Sequence, residues 1–536
     1  MINNSYCVLK RFRYYFRIIV VLFITASSCR QIRLWASEKQ SDFDELKIDT
    51  KSAELSERSK SQLLKSVDPQ DLFIHSTPST LYASPSGLGD GSSENNPASF
   101  ELAIRSGHVI PGDTILLLDS IYKGVFQITI MGTQDQPIII KPLNDYKALI
   151  DGGLIIGDLH GEKGSHIVIR DFQITNSDTW RGTWLTVQGS IERAPSINVQ
   201  APYVSIINNF IHDGGVGVCG YSAARECLVY GNIIWNSGWA DDVHGGAQNI
   251  YMHSSTKTIR HNVFAGAFKR SVQLHGNHGA LTESTVSENV AICKESFLVG
   301  SYNVPNHDIV IDGNHILGWA EIGYVYDPND NVTVSRNIIY SQSYSGIRFL
   351  RWKNINFQGN KIIKPSNLSV DIFLPSDDSA EIATYNIDRN QYYQLPQGYK
   401  TPFEIRKHKA ISFSDWQKEG YDINGFFKYN FPEANETYVY PNEYPGDKRM
   451  GIVVIWNWEA LDNVAVSLKE LGLVEGETYL WRNAQDPLGD ISTWTYYGKQ
   501  YLFPMIERTV AYPIGFNELL LPNQFPLFGC FIIERL

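Results

Sequence analysis

Short apolar runs, bounded by polar and turn-forming residues, return along most of this chain at a nearly fixed interval. The segments IINNFIH, VYGNIIW, TIRHNVF, TVSENVA, VIDGNHI, VSRNIIY and NFQGNKI each hold one asparagine: Asn209, Asn232, Asn262, Asn289, Asn314, Asn337 and Asn360. The intervals are 23, 30, 27, 25, 23 and 23 residues, and VIRDFQI puts Asp171 in the equivalent place one coil earlier. β-Branched runs at this period predict stacked coils rather than a closed globular fold. Parallel strands about 4.8 Å apart would align the asparagine amides into a hydrogen-bonded ladder.

A second strand recurs in each coil: NIYMHS (249–254), SVQLHG (271–276), SFLVGS (296–301), GYVYD (323–327) and GIRFLR (346–351). Alternate side chains of a strand face opposite ways. Ile250, Met252, Val272, Leu274, Phe297, Val299, Val325, Ile347 and Phe349 take the inward parity. The outward parity then aligns Tyr251, Gln273, Leu298, Tyr324 and Arg348 in one column, and His253, His275, Gly300, Tyr326 and Leu350 in the next. Solubility alone would be served by Ser, Thr and Lys, so a wall of His, Tyr, Gln and Arg is where a site is expected.

The pattern also divides the chain. Residues 80–396 read as the solenoid, with a helix at 100–106 capping its open end against strand-edge pairing. A broad loop at 177–193 carries Trp180, Arg181 and Trp184. Residues 397–437 read as a linker with a short helix near 412–420. From 438 to 536 the runs MGIVVIWNW, NVAVSLK, TYLWRN, LFPMIE and CFIIERL lose the asparagine period and predict a small antiparallel sandwich packed on the end of the solenoid. At the other end, Lys10, Arg11, Arg13 and Arg17 precede the apolar run Ile18 to Ala26, which predicts a signal peptide over 1–29. Ala26-Ser27-Ser28-Cys29 reads as a lipoprotein box, with acylation of Cys29 and an outer-membrane anchor as the consequence; ordinary cleavage near Ala26 is the alternative. Residues 30–79 read as a polar tether.

Composition narrows the partners. A net charge of −11 argues against nucleic acid as the main partner. It leaves an acidic polysaccharide open, because binding depends on local charge in a cleft. The 29 Tyr and 12 Trp suit both strand packing and sugar stacking. The six cysteines have no metal-ligand spacing; Cys219 and Cys227 could pair or remain buried thiols.

The opening YASPSGLGDG…PGDTILL, the step GTQDQPIIIKP, the asparagine ladder and the block His244-Gly245-Gly246…Asn249-Ile250-Tyr251-Met252-His253 resemble secreted bacterial proteins of the pectate-lyase superfamily. The closing PNEYPGDKRMGIVVIWNWEALDNVAVSL is similar to the small β-domain appended to such proteins. The resemblance covers roughly residues 80–530 and implies an all-β fold: a right-handed parallel β-helix with a small C-terminal antiparallel β-sandwich. That superfamily holds lyases, hydrolases, epimerases and non-catalytic proteins, so the activity must be argued from the site. Relatives often carry Gly-His-Gly-Ile-Tyr at the central block, whereas here GGAQN separates His244 from the strand.

The residues themselves favour β-elimination from a uronic-acid polysaccharide. His253 and His275, one rung apart, oppose each other's protonation, so one can stay neutral and act as general base. Tyr251 or Tyr326 could protonate the leaving oxygen. Lys269, Arg270 and Arg348 could bind the uronate carboxylate and acidify the proton beside it; His244, Gln273 and Trp180 complete the expected substrate contacts. Asp213, Asp241 and Asp242 offer carboxylates for Ca²⁺, with no dense ligand cluster. Glycoside hydrolysis is the rival, but it needs two carboxylates flanking the bond, and no acidic pair shares the outward columns read above. A non-catalytic surface glycan-binding protein is the third reading.

Overall fold

The protein is described by a computed structural model, which covers residues 74–158, 160–161, 163–182, 193–240, 247–277, 279–301, 304–324, 329–341, 345–363, 367–374, 384–395, 400–405, 410–444 and 447–536. The expected signal peptide, Cys29 and most of the tether lie outside these residues. Pro69–Leu536 forms one compact unit.

Within a coil the chain makes three strand stretches, as in Lys257–Arg260, Val263–Ala267 and Arg270–Gly276. The first stretches stack into a 13-stranded parallel sheet. The second and third stretches join in a 19-stranded sheet, because strands such as Val290–Ser301 bend across both faces. Inward residues Ile250, Met252, Val272, Leu274, Val299, Ile347 and Phe349 have no exposure and fill one continuous core. Each such side chain contributes roughly 1.5–3 kcal/mol by leaving water.

The asparagine ladder is continuous and longer than its seven expected members. Asn209 donates its amide to Asn232 at 2.9 Å, Asn232 to Asn262 at 3.0 Å, and the series continues through Asn360 to Asn390 at 3.0 Å. Each side-chain oxygen also accepts the backbone N–H of the preceding rung, as in Asn262 N–H to Asn289 at 3.0 Å. The residue before each rung lies in the left-handed region: Asn208, Gly231, His261, Glu288, Gly313, Arg336, Gly359 and Arg389 all have φ between 54° and 67°. Asp171, with φ 63°, belongs to that series. The true ladder position in its coil is Phe172, whose N–H donates to Asn209 at 3.0 Å. The expected equivalence was one residue out, because the motif there lacks an asparagine to mark the rung.

The solenoid runs past the boundary expected at 396. Phe403–Ile405 and Phe426–Lys428 pair in parallel with Leu368–Phe373 and Gln391–Tyr393. The helix Phe413–Lys418 buries Trp416 over the open end. The Asp422 carboxylate receives the last ladder amide from Asn390 at 2.8 Å, together with Tyr392 O–H and Trp416 N–H. The expected linker is therefore the final coil and its cap. At the other end the capping helix is only Phe100–Ala103, with Ser99 as N-cap.

The C-terminal domain has a five-stranded antiparallel sheet and a two-stranded ribbon. Val453, Ile455, Phe531 and Ile533 on one face of the larger sheet pack with Val464 and Phe503 of the ribbon. The opposite face, with Ile452, Val454, Trp456 and Ile532, packs on Phe210, Ile233, Val263, Val290 and Ile338. These follow the asparagine in successive coils, so the domain lies along the side of the solenoid and not on its end. The second stretch of several coils is apolar on both parities, as in Val263-Phe264-Ala265. That is the pattern of a strand buried on both faces.

Candidate functional site

The third stretch of each coil forms a wall outside the C-terminal domain contacts described above. On it His253, His275, Gln273 and Leu298 are buried, while Tyr251, Glu321 and Arg348 are partly exposed. Its register begins as the pattern predicts: Tyr251 stands beside Gln273, His253 beside His275, then Leu298 and Gly300. At the next rung the expected alignment of 323–327 fails. Leu298 pairs with Glu321, and Glu321 with Arg348, so Glu321 replaces Tyr324 in the outward column. The cause is a corner of unequal length, with register shifts between Ile292, Glu295 and Phe297. Gly318 permits it: φ is 156°, and a Cβ there would lie 2.0 Å from the Cys293 carbonyl.

With this correction the column reads Tyr251, Gln273, Leu298, Glu321, Arg348, Asp371. The carboxylates that seemed missing from the wall are present. Arg348 is locked between two of them, with Nη1 3.2 Å from Glu321 Oε2 and Nε 3.2 Å from Asp371 Oδ2. It also stacks over Trp319 and Phe373 at 5.5 and 5.7 Å. Burial raises the pKa of the Glu321 carboxyl above its ordinary value, with Arg348 pulling the other way. In the neighbouring column Gly300 is followed by Gly323, for a Cβ on Gly300 would lie 2.1 Å from Gly323 Cα. Among the described residues, that column carries only Gly300 and Gly323 between His275 and Leu350.

His253, His275 and Tyr251 come together. The imidazole centroids are 5.8 Å apart, and Tyr251 Oη lies 3.3 Å from His275 Nε2. Tyr221, which sequence reasoning missed, closes edge-on over His253 at 4.9 Å and stands 42% exposed at the rim. Its signal was available one coil before Tyr251, directly after the short strand Val218–Gly220, which pairs with the Tyr251 strand. Burial, then His253 and Arg270, push the His275 imidazole down to about 3, so it is neutral at pH 7. Arg270 bonds Glu295 at 2.9 Å and Gln273 Oε1 at 3.0 Å; Gln248 donates to the same oxygen at 2.8 Å. Lys269 is half-buried at the corner, its N–H held by the Ala247 carbonyl at 3.0 Å.

The remaining expected residues divide. His244 and Tyr326 lie outside the described residues, as do Asp241 and Asp242. The contacts described for Trp180 are with Asp178 and Arg193, beside Arg181, which donates to the Ile514 carbonyl at 2.8 Å. Asp213 is bonded to Arg181, to His212 at 2.7 Å and to the Ile514 N–H at 2.8 Å. It serves the junction with the C-terminal domain and is not open to a cation. Among the described residues no group of three or more His, Cys, Asp or Glu could hold a metal ion. Cys219 and Cys227 are separate buried thiols. His315 is also at the junction, accepting from Trp456 Nε1 at 2.9 Å and contacting Tyr440 Oη at 2.7 Å.

Residues 241–386 match the family model described as the right handed beta helix region. This agrees with the right-handed parallel β-helix that the coils above build. No curated protein matches the chain significantly. Among solved structures it is similar to a mannuronic acid specific polysaccharide family 6 lyase from human gut microbiota. That pair shares 14% identity and a TM-score of 0.32, over 66% of this chain and 92% of the other. A GH136 lacto-N-biosidase from Eubacterium ramulus shares 12% identity, with a TM-score of 0.37 over 66% and 67%. Pectate lyase Pel9A shares 15%, with a TM-score of 0.27 over 68% and 90%.

Proposed function

We propose that the protein is a polysaccharide lyase that cleaves a uronic-acid-containing glycan by β-elimination, with His275 and Tyr251 at the reacting atoms. The observation that carries this reading is the 3.3 Å contact between Tyr251 Oη and a neutral His275, with His253 alongside. His275 takes the proton from the carbon next to the carboxylate. The electron pair forms the double bond as the glycosidic C–O bond breaks, and Tyr251 protonates the departing oxygen. The His275–Tyr251 contact then returns the proton and resets the pair. Arg270, near enough to depress His275, supplies positive potential for the uronate carboxylate.

Glycoside hydrolysis gains a specific observation in the shared column of Glu321 and Asp371. Two rungs put their backbones about 10 Å apart, near the roughly 6.5–9.5 Å carboxyl separation of inverting enzymes. The Arg348 guanidinium, however, bonds both and occupies the gap where sugar and water must sit. A panel of uronate polymers separates the readings. The lyase makes an unsaturated, ultraviolet-absorbing end; a hydrolase makes reducing ends without that absorbance; binding with neither product leaves a glycan-binding protein.

We also propose export and anchoring through Cys29. Membrane fractionation of the full chain against Cys29→Ser tests this, with release of the variant expected and unchanged partition contradicting it.

A further inference from the structure

We propose that the outer layer of the C-terminal domain carries a second sugar site, which takes a uronate-containing chain by its carboxylates and holds the polymer apart from the reacting pair. Only the identity of that polymer rests on the lyase reading.

The site is an open cavity of about 540 Å³, a size within the roughly 300–1,000 Å³ of small-ligand pockets. It forms on the ribbon of Asn463–Val466 and Tyr501–Pro504. Val464 and Phe503 take the inward parity of this ribbon and pack on the larger sheet, whose other face is docked on the coils. The outward parity falls to Ala465 and Leu502, which stand opposite each other across the ribbon. Leu502 is 61% exposed and makes an apolar floor. Lys469 enters from the short 3-10 helix Lys469–Leu471, and Lys499 from the turn that Gly498 makes with φ 68°. Both lysines are exposed, and among the described residues neither is in an ion pair. Lys361, Lys418 and Lys428, by contrast, each meet a carboxylate. Ser467 and Gln500 add a hydroxyl and an amide to the rim, and no lining residue is acidic. Glu475 borders the cavity, near enough that a Cβ on Gly498 would lie 3.5 Å from its Oε2. Two unneutralised ammoniums beside an apolar floor, in a chain of net charge −11, fit an anion that also has an apolar face. A uronate ring has both: C–H groups to lie on Leu502 and Ala465, and a carboxylate for charged hydrogen bonds from lysine. The ribbon is on the far side of the domain from the coils, so a chain held here leaves the His275 wall free. Holding one stretch of a long polymer raises the effective concentration of its other stretches at the wall.

The test is affinity electrophoresis of the full-length protein through polygalacturonate, polymannuronate, dextran sulfate and neutral dextran. The wild type should be retarded by a uronate polymer and not by dextran. Lys469→Ala combined with Lys499→Ala should weaken that retardation about fivefold, as two exposed charge contacts are lost; Lys469→Arg with Lys499→Arg should keep it. Glu475→Gln, which removes the bordering negative charge, should strengthen it, and gives the same reading should the alanine variant fail to fold. Lys123→Ala with Lys418→Ala makes the same change of net charge outside the cavity and should leave retardation as in the wild type. Equal weakening in that control overturns the site, as does unchanged retardation in the folded alanine variant. Retardation of the wild type by dextran sulfate alone, or by no polymer, also overturns it. Weakened binding in the alanine variant, with no unsaturated product even from the wild type, leaves the site standing and removes the lyase. Unsaturated product with wild-type retardation in the alanine variant does the reverse.

Discussion

At the scale of single residues, the imidazoles show how far position alone can be read. His253 and His275 were legible as a pair because strand parity and coil period together fix which side chains stand one rung apart. Glu321 was not legible, since the corner before it is shortened by a glycine and the sequence gives no mark of the lost residues. Neutral His275 and His315 have consequences for pH. Both are held near pKa 3, His315 chiefly by burial and then by Lys361, against about 6.5 unfolded. The unfolded state therefore binds more protons between about pH 6.5 and 3, and stability falls as pH drops through that window and is constant above it. In His315→Gln, which can still meet Trp456 and Tyr440, the slope of unfolding free energy between pH 6 and 4 should lessen by about 1.4 kcal/mol per pH unit. An unchanged slope from denaturant titrations would show that His315 is not buried in the neutral form. For activity, kcat/KM reports the free enzyme, so His275 should place no acidic limb near pH 6.5. An acidic limb near pH 6.5 in the wild type that persists in His253→Gln would mean an ordinary, solvated His275 imidazole.

At the scale of the element, the coil depends on its corner as much as on its strands. Each rung forces the residue before the asparagine into the left-handed region, at roughly 1–2 kcal/mol for a non-glycine side chain. The fully bonded, buried asparagine amide offsets that cost. Asn289 gives its amide to Asn314 at 3.0 Å and to the Ile259 carbonyl at 2.9 Å, and accepts from Asn262. Asn289→Ala leaves these partners unsatisfied inside the core and should cost about 2–4 kcal/mol, measured by chemical denaturation. A loss under 1 kcal/mol would mean that the ladder follows the coil rather than fixing it. The ladder was legible because its asparagines repeat. Asp171 misled because the ladder position beside it is Phe172, which packs instead of bonding, and the αL position one residue earlier also favours a short polar side chain.

At the scale of the whole molecule, the sequence marked a C-terminal β-domain but not where it docks. The sign of side-on packing is the double-sided apolar character of the second stretch in several coils, which can be recognised only once its register is known. The docked face is secured by polar contacts between distant parts of the chain, including Arg260 with Glu443 at 2.7 Å and Arg449 with the Tyr146 hydroxyl at 3.0 Å. Trp456 is fully buried against the coils and bonded to His315. Trp456→Ala should cost about 3–5 kcal/mol and, by thermal denaturation, lower the melting of solenoid and sandwich together; separate transitions with the solenoid unchanged would contradict side-on docking as a stabilising contact. This arrangement covers the second face of the coils with the C-terminal domain. The most direct test of the central claim is the rate of unsaturated-product formation on a uronate-containing polysaccharide by the wild type, Tyr251→Phe and His275→Ala. The account predicts product from the wild type and losses of about 10²- to 10⁴-fold in each folded variant. Wild-type rates in both variants would place the chemistry elsewhere on the molecule.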